Sequence, residues 1–334
     1  MDPASPFVAP MGATRIFLVD NGSLQPAATL ELRRLSTEVS RLLGRAVHPV
    51  SVLHSHKIDP ALLGGTPAVI FEQAIARAKA DGVSEIVVVP LFIGPSRAIT
   101  EYLPKVFADA QLGAMKLSIR PPLYGEDGAE LLHILIDNLR LAQGDADKDT
   151  ILLCDHGSPI IEVTQVRDAL ARDLAVELAI PSARLIACSM ERREGPEYAF
   201  NEPLLATALP QATGDVIVLM LFLLPGRHAG PDGDVATIAK EHAKPGARVR
   251  LSPLLASHPR LAELLAKRAD LPKPKDYFSG RPGRLLLGAG LCVLTVLVLQ
   301  APGAQMDTKG GLNYLLSVVL LALAGFFWLR ARRD

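Results

Sequence analysis

Two histidines stand just past apolar runs. His156 lies in "CDHGSP" (154–159), directly after "ILL", and His228 closes "LLPGRH" (223–228), after "DVIVLMLF". An imidazole has an ordinary pKa of about 6.5, so it accepts a proton at cellular pH, and its neutral form binds borderline divalent metals. Two such rings in one crevice suit a site that takes protons from a guest or holds an ion beside it. The chain has no CxxC, HExxH or P-loop, and "DHGSP" lacks the second glycine of a GxSxG elbow, so zinc-enzyme, nucleotide and serine-hydrolase readings lose their motif. The remaining chemistry is a cleft with two bases or ligands and no structural metal, suited to delivering an ion to something else.

The elements that must carry these rings follow from periodicity. Short apolar runs "RIFLVD" (15–20), "VHPVSVL" (47–53), "EIVVVPLF" (85–92) and "MKLSIR" (115–120) alternate with helical patterns such as "AATLELRRLSTEVSRLLG". The series then restarts with "TILLCD" (150–155), "ARLIACS" (183–189), "DVIVLMLF" (215–222) and "ARVRLSP" (247–253). This predicts two tandem doubly wound parallel-sheet α/β domains from an internal duplication. Asp20-Asn21-Gly22-Ser23 aligns with Asp155-His156-Gly157-Ser158 at an offset of 135, and "IGPSRA" aligns with "LLPGRH", so Asn21 faces His156 and Ala98 faces His228. The second copy keeps both rings and the first has neither, which reads as one working site and one degenerate site. In an open α/β sheet ligands collect beyond the carboxyl ends of the strands, where both rings are expected. A single histidine at a strand end is commonly a packed residue; the matched pair is what singles these out. Gly157 permits the tight exit and Ser158 can cap the following helix. His54 and His56 in "HSHK" read either as a second metal-collecting pair on an extended segment or as solvent-facing rings.

Composition bounds the rest. The 334 residues exceed one ordinary core, and 35 basic against 35 acidic residues leave no field that favours nucleic acid. Cys154, Cys188 and Cys292 are odd in number and sit in apolar runs, which suits reduced thiols. Residues 1–13 read as a disordered leader, 14–145 and 146–270 as the two α/β domains, 271–283 as a Pro/Gly-rich linker, and 284–330 as a transmembrane helical hairpin. Arg281 and Arg284 before the hairpin and Arg330, Arg332 and Arg333 after it place both ends, and the α/β domains, at the cytoplasmic face of the inner membrane. A homo-oligomer is compatible with the sequence.

The combination of "HGS" after the first strand of the second half, "LFLLPGRH" after its third and "SMERREGPEYAFNEPLL" (189–205) after its second resembles the class II tetrapyrrole chelatases, the sirohydrochlorin cobaltochelatase or ferrochelatase type, in their long two-domain form. The resemblance spans roughly residues 14–270. It implies a lyase-class enzyme that inserts Co2+ or Fe2+ into a sirohydrochlorin-like ring, in cobalamin or siroheme biosynthesis, with no ATP and no organic cofactor. By the same resemblance His156 and His228 are the catalytic residues and metal ligands, and Ser158, Arg227 and Glu202 contact the ring. Arg227 and its counterpart Arg97 suit macrocycle carboxylates, or are simply solvated; Glu197 and Glu202 suit metal entry or proton loss, or a solvated surface. Asn21 and Ala98 depart from the family's histidines, which puts the chemistry in the second half. The alternatives are a metal or tetrapyrrole carrier that has lost turnover and meets a membrane partner through the hairpin, and a small-molecule transferase or nucleotide-binding enzyme on the same sheet, against which the missing glycine-rich phosphate loop argues.

Overall fold

The structure, a computed structural model, describes residues 13–271 except 126, 127, 144, 146 and 147. The leader up to residue 12, the linker beyond residue 271 and the expected hairpin at 284–330 lie outside the described residues. Among the described residues no helix is long and apolar enough to cross a membrane.

The first half runs β1 (Thr14–Asp20), α1 (Pro26–Leu43), β2 (Val47–Ser51), α2 (Phe71–Ala80), β3 (Glu85–Pro90), α3 (Leu103–Asp109), β4 (Lys116–Ile119) and α4 (Ala129–Leu141). The second runs β5 (Thr150–Asp155), α5 (Ile161–Glu177), β6 (Leu185–Ser189), α6 (Leu205–Ala208), β7 (Val216–Met220), α7 (Asp234–His242), β8 (Val249–Leu251) and α8 (Pro259–Asp270). Each half holds a four-stranded parallel sheet, in the orders β2-β1-β3-β4 and β6-β5-β7-β8. The expected strands all form. Thr150–Asp155 is buried along its whole length, as a strand covered on both faces must be, and that is why its sequence is a continuous apolar run. Edge strands come out shorter than the apolar runs suggest: β8 pairs only with Val216–Val218, so the expected 247–253 shrinks to three residues.

Helix α1 shows how the sequence writes a covered helix. Pro26 opens its first turn, Gly44 closes it at φ 63°, and Ala28, Leu32, Leu35 and Val39 form a buried stripe at helical spacing. Each fully buried leucine contributes about 1.5–3 kcal/mol of transfer free energy.

The halves are not two independent cores. The last helix of each is exchanged: α8 lies against α1 and β3, while α4 reaches α5 and β7. Asn138 on α4 donates to the Pro253 carbonyl at 3.1 Å, and Arg34 on α1 donates to the Ala256 carbonyl at 2.7 Å. One apolar cluster therefore runs from Leu18 and Leu35 through Leu135 to Leu153, Leu219 and Leu265, and the described residues fall in a single compact unit.

Candidate metal-handling site

The strand order of the second sheet places β5 between β6 and β7, so the chain leaves β5 on one side and returns to it on the other. Ligand crevices form at such a reversal. His156 follows β5 and His228 lies eight residues beyond the end of β7, and their ring centroids are 4.7 Å apart at an interplanar angle of 76°. The structure thus brings together the two residues the sequence singled out. Both rings are open to solvent, His156 with 47% of its side chain exposed and His228 with 34%.

Their orientation is set by what the ring nitrogens touch. His228 Nδ1 lies 2.6 Å from Asp234 Oδ2, and His156 Nδ1 lies 3.1 Å from the Gly157 carbonyl oxygen. An ionised carboxylate and a carbonyl can only accept, so in each ring the proton belongs on Nδ1. That leaves the Nε2 lone pair of each neutral ring available for an ion or a proton. Glu191 Oε1 stands 3.5 Å from His156 Nε2, close enough to stabilise the imidazolium once it forms.

A buried polar cluster holds the loop that carries His156. Gly157 adopts φ +93°, and a Cβ there would sit 1.9 Å from the Glu191 carbonyl oxygen, so the position requires glycine. Its N–H donates to Asp155 Oδ1 at 3.1 Å, which also accepts from Ser189 Oγ at 2.6 Å. Arg167, 2% exposed, donates to Ser189 Oγ at 2.6 Å and to the Asn201 carbonyl at 3.2 Å, and its charge lies 3.8 Å from Asp155. Asn201 grips the loop from the other side: its Nδ2 donates to the Ser158 carbonyl at 2.9 Å and its Oδ1 accepts from the Ser158 N–H at 2.9 Å. Burial pushes the Asp155 carboxyl above its ordinary value, while the Ser189 hydrogen bond and Arg167 charge pull it back.

The other expected residues are placed as follows. Ser158 Oγ accepts from the Ile160 N–H at 3.0 Å in a turn ahead of α5, whose N-cap is Ile160 with no side-chain cap bond, so Ser158 does not cap the helix as expected. Glu202 pairs with Arg192 at 2.7 Å and caps the Leu204 N–H at 2.9 Å. Arg227 is exposed and lies 3.5 Å from Asp234; Arg97 is exposed and lies 3.5 Å from Glu101; Glu197 is exposed. His54 and His56 do not form the extended pair: β2 ends at Ser51 and residues Ser55–Lys57 make a tight helical turn after His54, which has φ 68°, so two-residue alternation does not apply. Cys154 and Cys188 sit in register on adjacent strands, free and buried, and their mutual hydrogen bond and burial push the Cys154 thiol well above its usual range. The Cys154 thiol therefore offers no thiolate ligand. Among the described residues no group of three or more His, Cys, Asp or Glu side chains is arranged to hold a metal ion.

Asp234, Glu191, Arg167 and Asn201 are not singled out by the sequence, although Glu191 and Asn201 lie within "SMERREGPEYAFNEPLL". The other two leave a trace of their own. Asp234 is acidic in the first turn of α7, and Arg167 interrupts the apolar stripe of α5 between Thr164 and Leu170.

Comparison with known proteins is consistent with this picture. Residues 150–271 match the family model described as CbiX, a stretch that contains both histidines and leaves the first half outside. No curated protein matches the chain. Among solved structures, the fold is similar to SirB from Bacillus subtilis with Fe3+, at a TM-score of 0.55 and 17% identity over 76% of this chain and 93% of that one. It is similar to the sirohydrochlorin chelatase SirB from Bacillus subtilis subspecies spizizenii in complex with cobalt, at 0.56 and 16% over 77% and 93%. CbiX, described as the terminal enzyme for biosynthesis of siroheme in denitrifying bacteria, matches at 0.53 and 18% over 77% and 100%. Identities this low speak to the fold alone, and they support the two parallel-sheet α/β units of chelatase type.

Proposed function

With residues 150–271 forming a CbiX-family, class II chelatase domain, we propose that this chain inserts a divalent metal, Co2+ or Fe2+, into a sirohydrochlorin-like tetrapyrrole without ATP. The observation that carries this reading is the pair of imidazoles 4.7 Å apart at the reversal of the second sheet, each with its Nδ1 on an acceptor. Metalation of such a ring releases two pyrrole N–H protons as the ion enters. His156 Nε2 and His228 Nε2 are two neutral bases that take them, and Glu191 and Asp234 stabilise the imidazolium charges until water removes the protons. The same lone pairs can hold the incoming ion first; two ligands rather than four bind weakly enough to release it. Arg227, exposed beside Asp234, is the residue placed to meet a ring carboxylate. Ser158 and Glu202 already have partners within the chain, so ring contacts by them rest on the resemblance alone. We further propose that residues 284–330 tether this activity to the cytoplasmic face of the inner membrane, tested by whether the full chain, but not a chain ending at residue 283, sediments with membranes.

The deciding assay is multiple turnover by the full chain with sirohydrochlorin and Co2+ or, anaerobically, Fe2+, followed by the absorbance of the metallated ring. His156→Ala and His228→Ala should each lower the rate by about 100-fold or more. Metallation that stops at one ring per chain would instead identify a carrier, and unchanged turnover in both variants would remove the site assignment.

A further inference from the structure

The first half repeats the backbone of the second without its buried polar cluster. Ser51 pairs with Ile70 as Ser189 does with Leu204, and the Ser51 and Ser189 N–H groups donate to the Val69 and Pro203 carbonyls. In that alignment Leu32 stands in place of Arg167 and Pro67 in place of Asn201, while Thr29 matches Thr164. Thr164 Oγ1 donates to Asn201 Oδ1 at 3.2 Å, but Thr29 Oγ1, in a residue only 5% exposed, has no hydrogen-bond partner among the described residues. Thr29, Leu32 and Pro67 line a cavity of about 190 Å3 beside β2.

A void left by smaller side chains alone would be apolar and inert. This one carries charge. Arg15, Arg33, His48 and Arg77 also line it, at positions where the second half has Thr150, Asp168, Ile186 and Gln211. Arg15 is paired with Asp81 at 2.8 Å, and Arg33 donates to the Leu63 and Thr66 carbonyls at 2.7 and 2.6 Å. Arg77 is exposed, and its side chain makes no hydrogen bond or ion pair among the described residues, so its charge is free to meet a ligand. Burial, with the Arg15 charge second, holds the His48 pKa below its usual value and keeps the ring neutral at pH 7. Apart from Ser51 and Thr66 the remaining wall is apolar, including Phe17, Val50 and Ala68. An unpartnered buried hydroxyl, an unpaired guanidinium and an apolar wall together fit an acid group on a compact hydrocarbon body.

We propose that this cavity in the first half binds a small organic carboxylate, its oxygens held by Arg77 and the Thr29 hydroxyl and its body lying against Phe17 and Val50. The degenerate half is then a ligand site in its own right, and the inference does not depend on the chelatase reading.

The test is calorimetric titration of the full chain with acetate, isovalerate and benzoate, with benzamide as the neutral control and inorganic phosphate as the other anion. At least one carboxylate should bind saturably, one per chain. Arg77→Gln, which installs the residue of the second half, and Thr29→Val should each weaken it about tenfold or more. Lys105→Gln, an exposed cation of the same half paired with Asp109, should leave it unchanged and so excludes general surface charge. No saturable binding of any of the three acids overturns the proposal. So does equal binding of benzamide, binding of phosphate alone, or binding that survives in both variants.

Discussion

Asp20 is the counterpart of Asp155 without its arginine, and this makes a quantitative prediction. It is buried at the end of β1, its Oδ1 has no hydrogen-bond partner among the described residues, and Leu32 occupies the place of Arg167. Burial raises its pKa from 3.8 to about 6, against the opposing hydrogen bonds from Ser51 and Gly22. The difference is about 2 units, and at about 1.36 kcal/mol per unit it corresponds to about 3 kcal/mol. Between pH 4 and 6 the folded chain holds this proton and the unfolded chain has released it. The Asp20 contribution is therefore most favourable below pH 4 and is lost as pH rises through 6. The amide introduced by Asp20→Asn cannot titrate, so the stability of that variant minus that of the native chain should climb by about 2.4 kcal/mol from pH 4 to pH 7, the unfolded carboxyl being already partly ionised at the lower end. The offset at pH 4 reports the amide's own hydrogen-bonding cost and does not affect the slope. Denaturant unfolding of the full chain in neutral detergent measures this, followed by far-ultraviolet circular dichroism because the single tryptophan, Trp328, lies outside the described residues. A difference flat to within about 1 kcal/mol across that range would refute the reasoning, since it would mean that Asp20 titrates alike in both states.

Asp234→Asn keeps an acceptor at His228 Nδ1 but removes the charge that stabilises its imidazolium, so turnover should fall about 10- to 100-fold while the fold is unchanged by circular dichroism. Arg167→Leu gives the second half the composition of the first and leaves Asp155 buried without its cation; unfolding should become easier by about 3–5 kcal/mol at pH 7 and by less at pH 4, where Asp155 is protonated more readily. Gly157→Ala forces a Cβ onto the Glu191 carbonyl at a φ that L residues avoid, costing about 1–3 kcal/mol of stability by denaturant midpoint and displacing His156, so turnover falls as well.

The features legible from sequence and those that were not divide along a physical line. Buried parallel strands write themselves as unbroken apolar runs, so "TILLCD" and "DVIVLMLF" announce β5 and β7, and the common frame of Asp20-Asn21-Gly22 and Asp155-His156-Gly157 exposes the duplication. The His156–His228 pairing follows from strand order, because consecutive ends of adjacent parallel strands share one crevice. The exchange of α4 and α8 does not follow, since an amphipathic stripe records that a helix is covered and not by which sheet. His54 and His56 mislead for a related reason: alternation holds only while the backbone stays extended, and the chain turns after Ser51.

The buried cluster shows how the two halves diverged. A histidine on a strand-end loop is useful only if the loop is fixed to within a fraction of an ångström, and here Arg167, Ser189 and Asn201 fix it from beneath. In the first half the backbone bond survives, Leu53 N–H to Asn21 carbonyl at 3.3 Å matching Glu191 N–H to His156 carbonyl at 3.2 Å. The side-chain clamp does not survive, because Leu32 and Pro67 supply no donors. The clamp holds the loop of His156, so position 21, which lacks it, also lacks the support that would fix a ring there. Asp20 and Ser51, still buried and hydrogen-bonded, and Thr29, which has no hydrogen-bond partner among the described residues, are what remains of the clamp, and the space beside Thr29 is where the first half has room to bind something else.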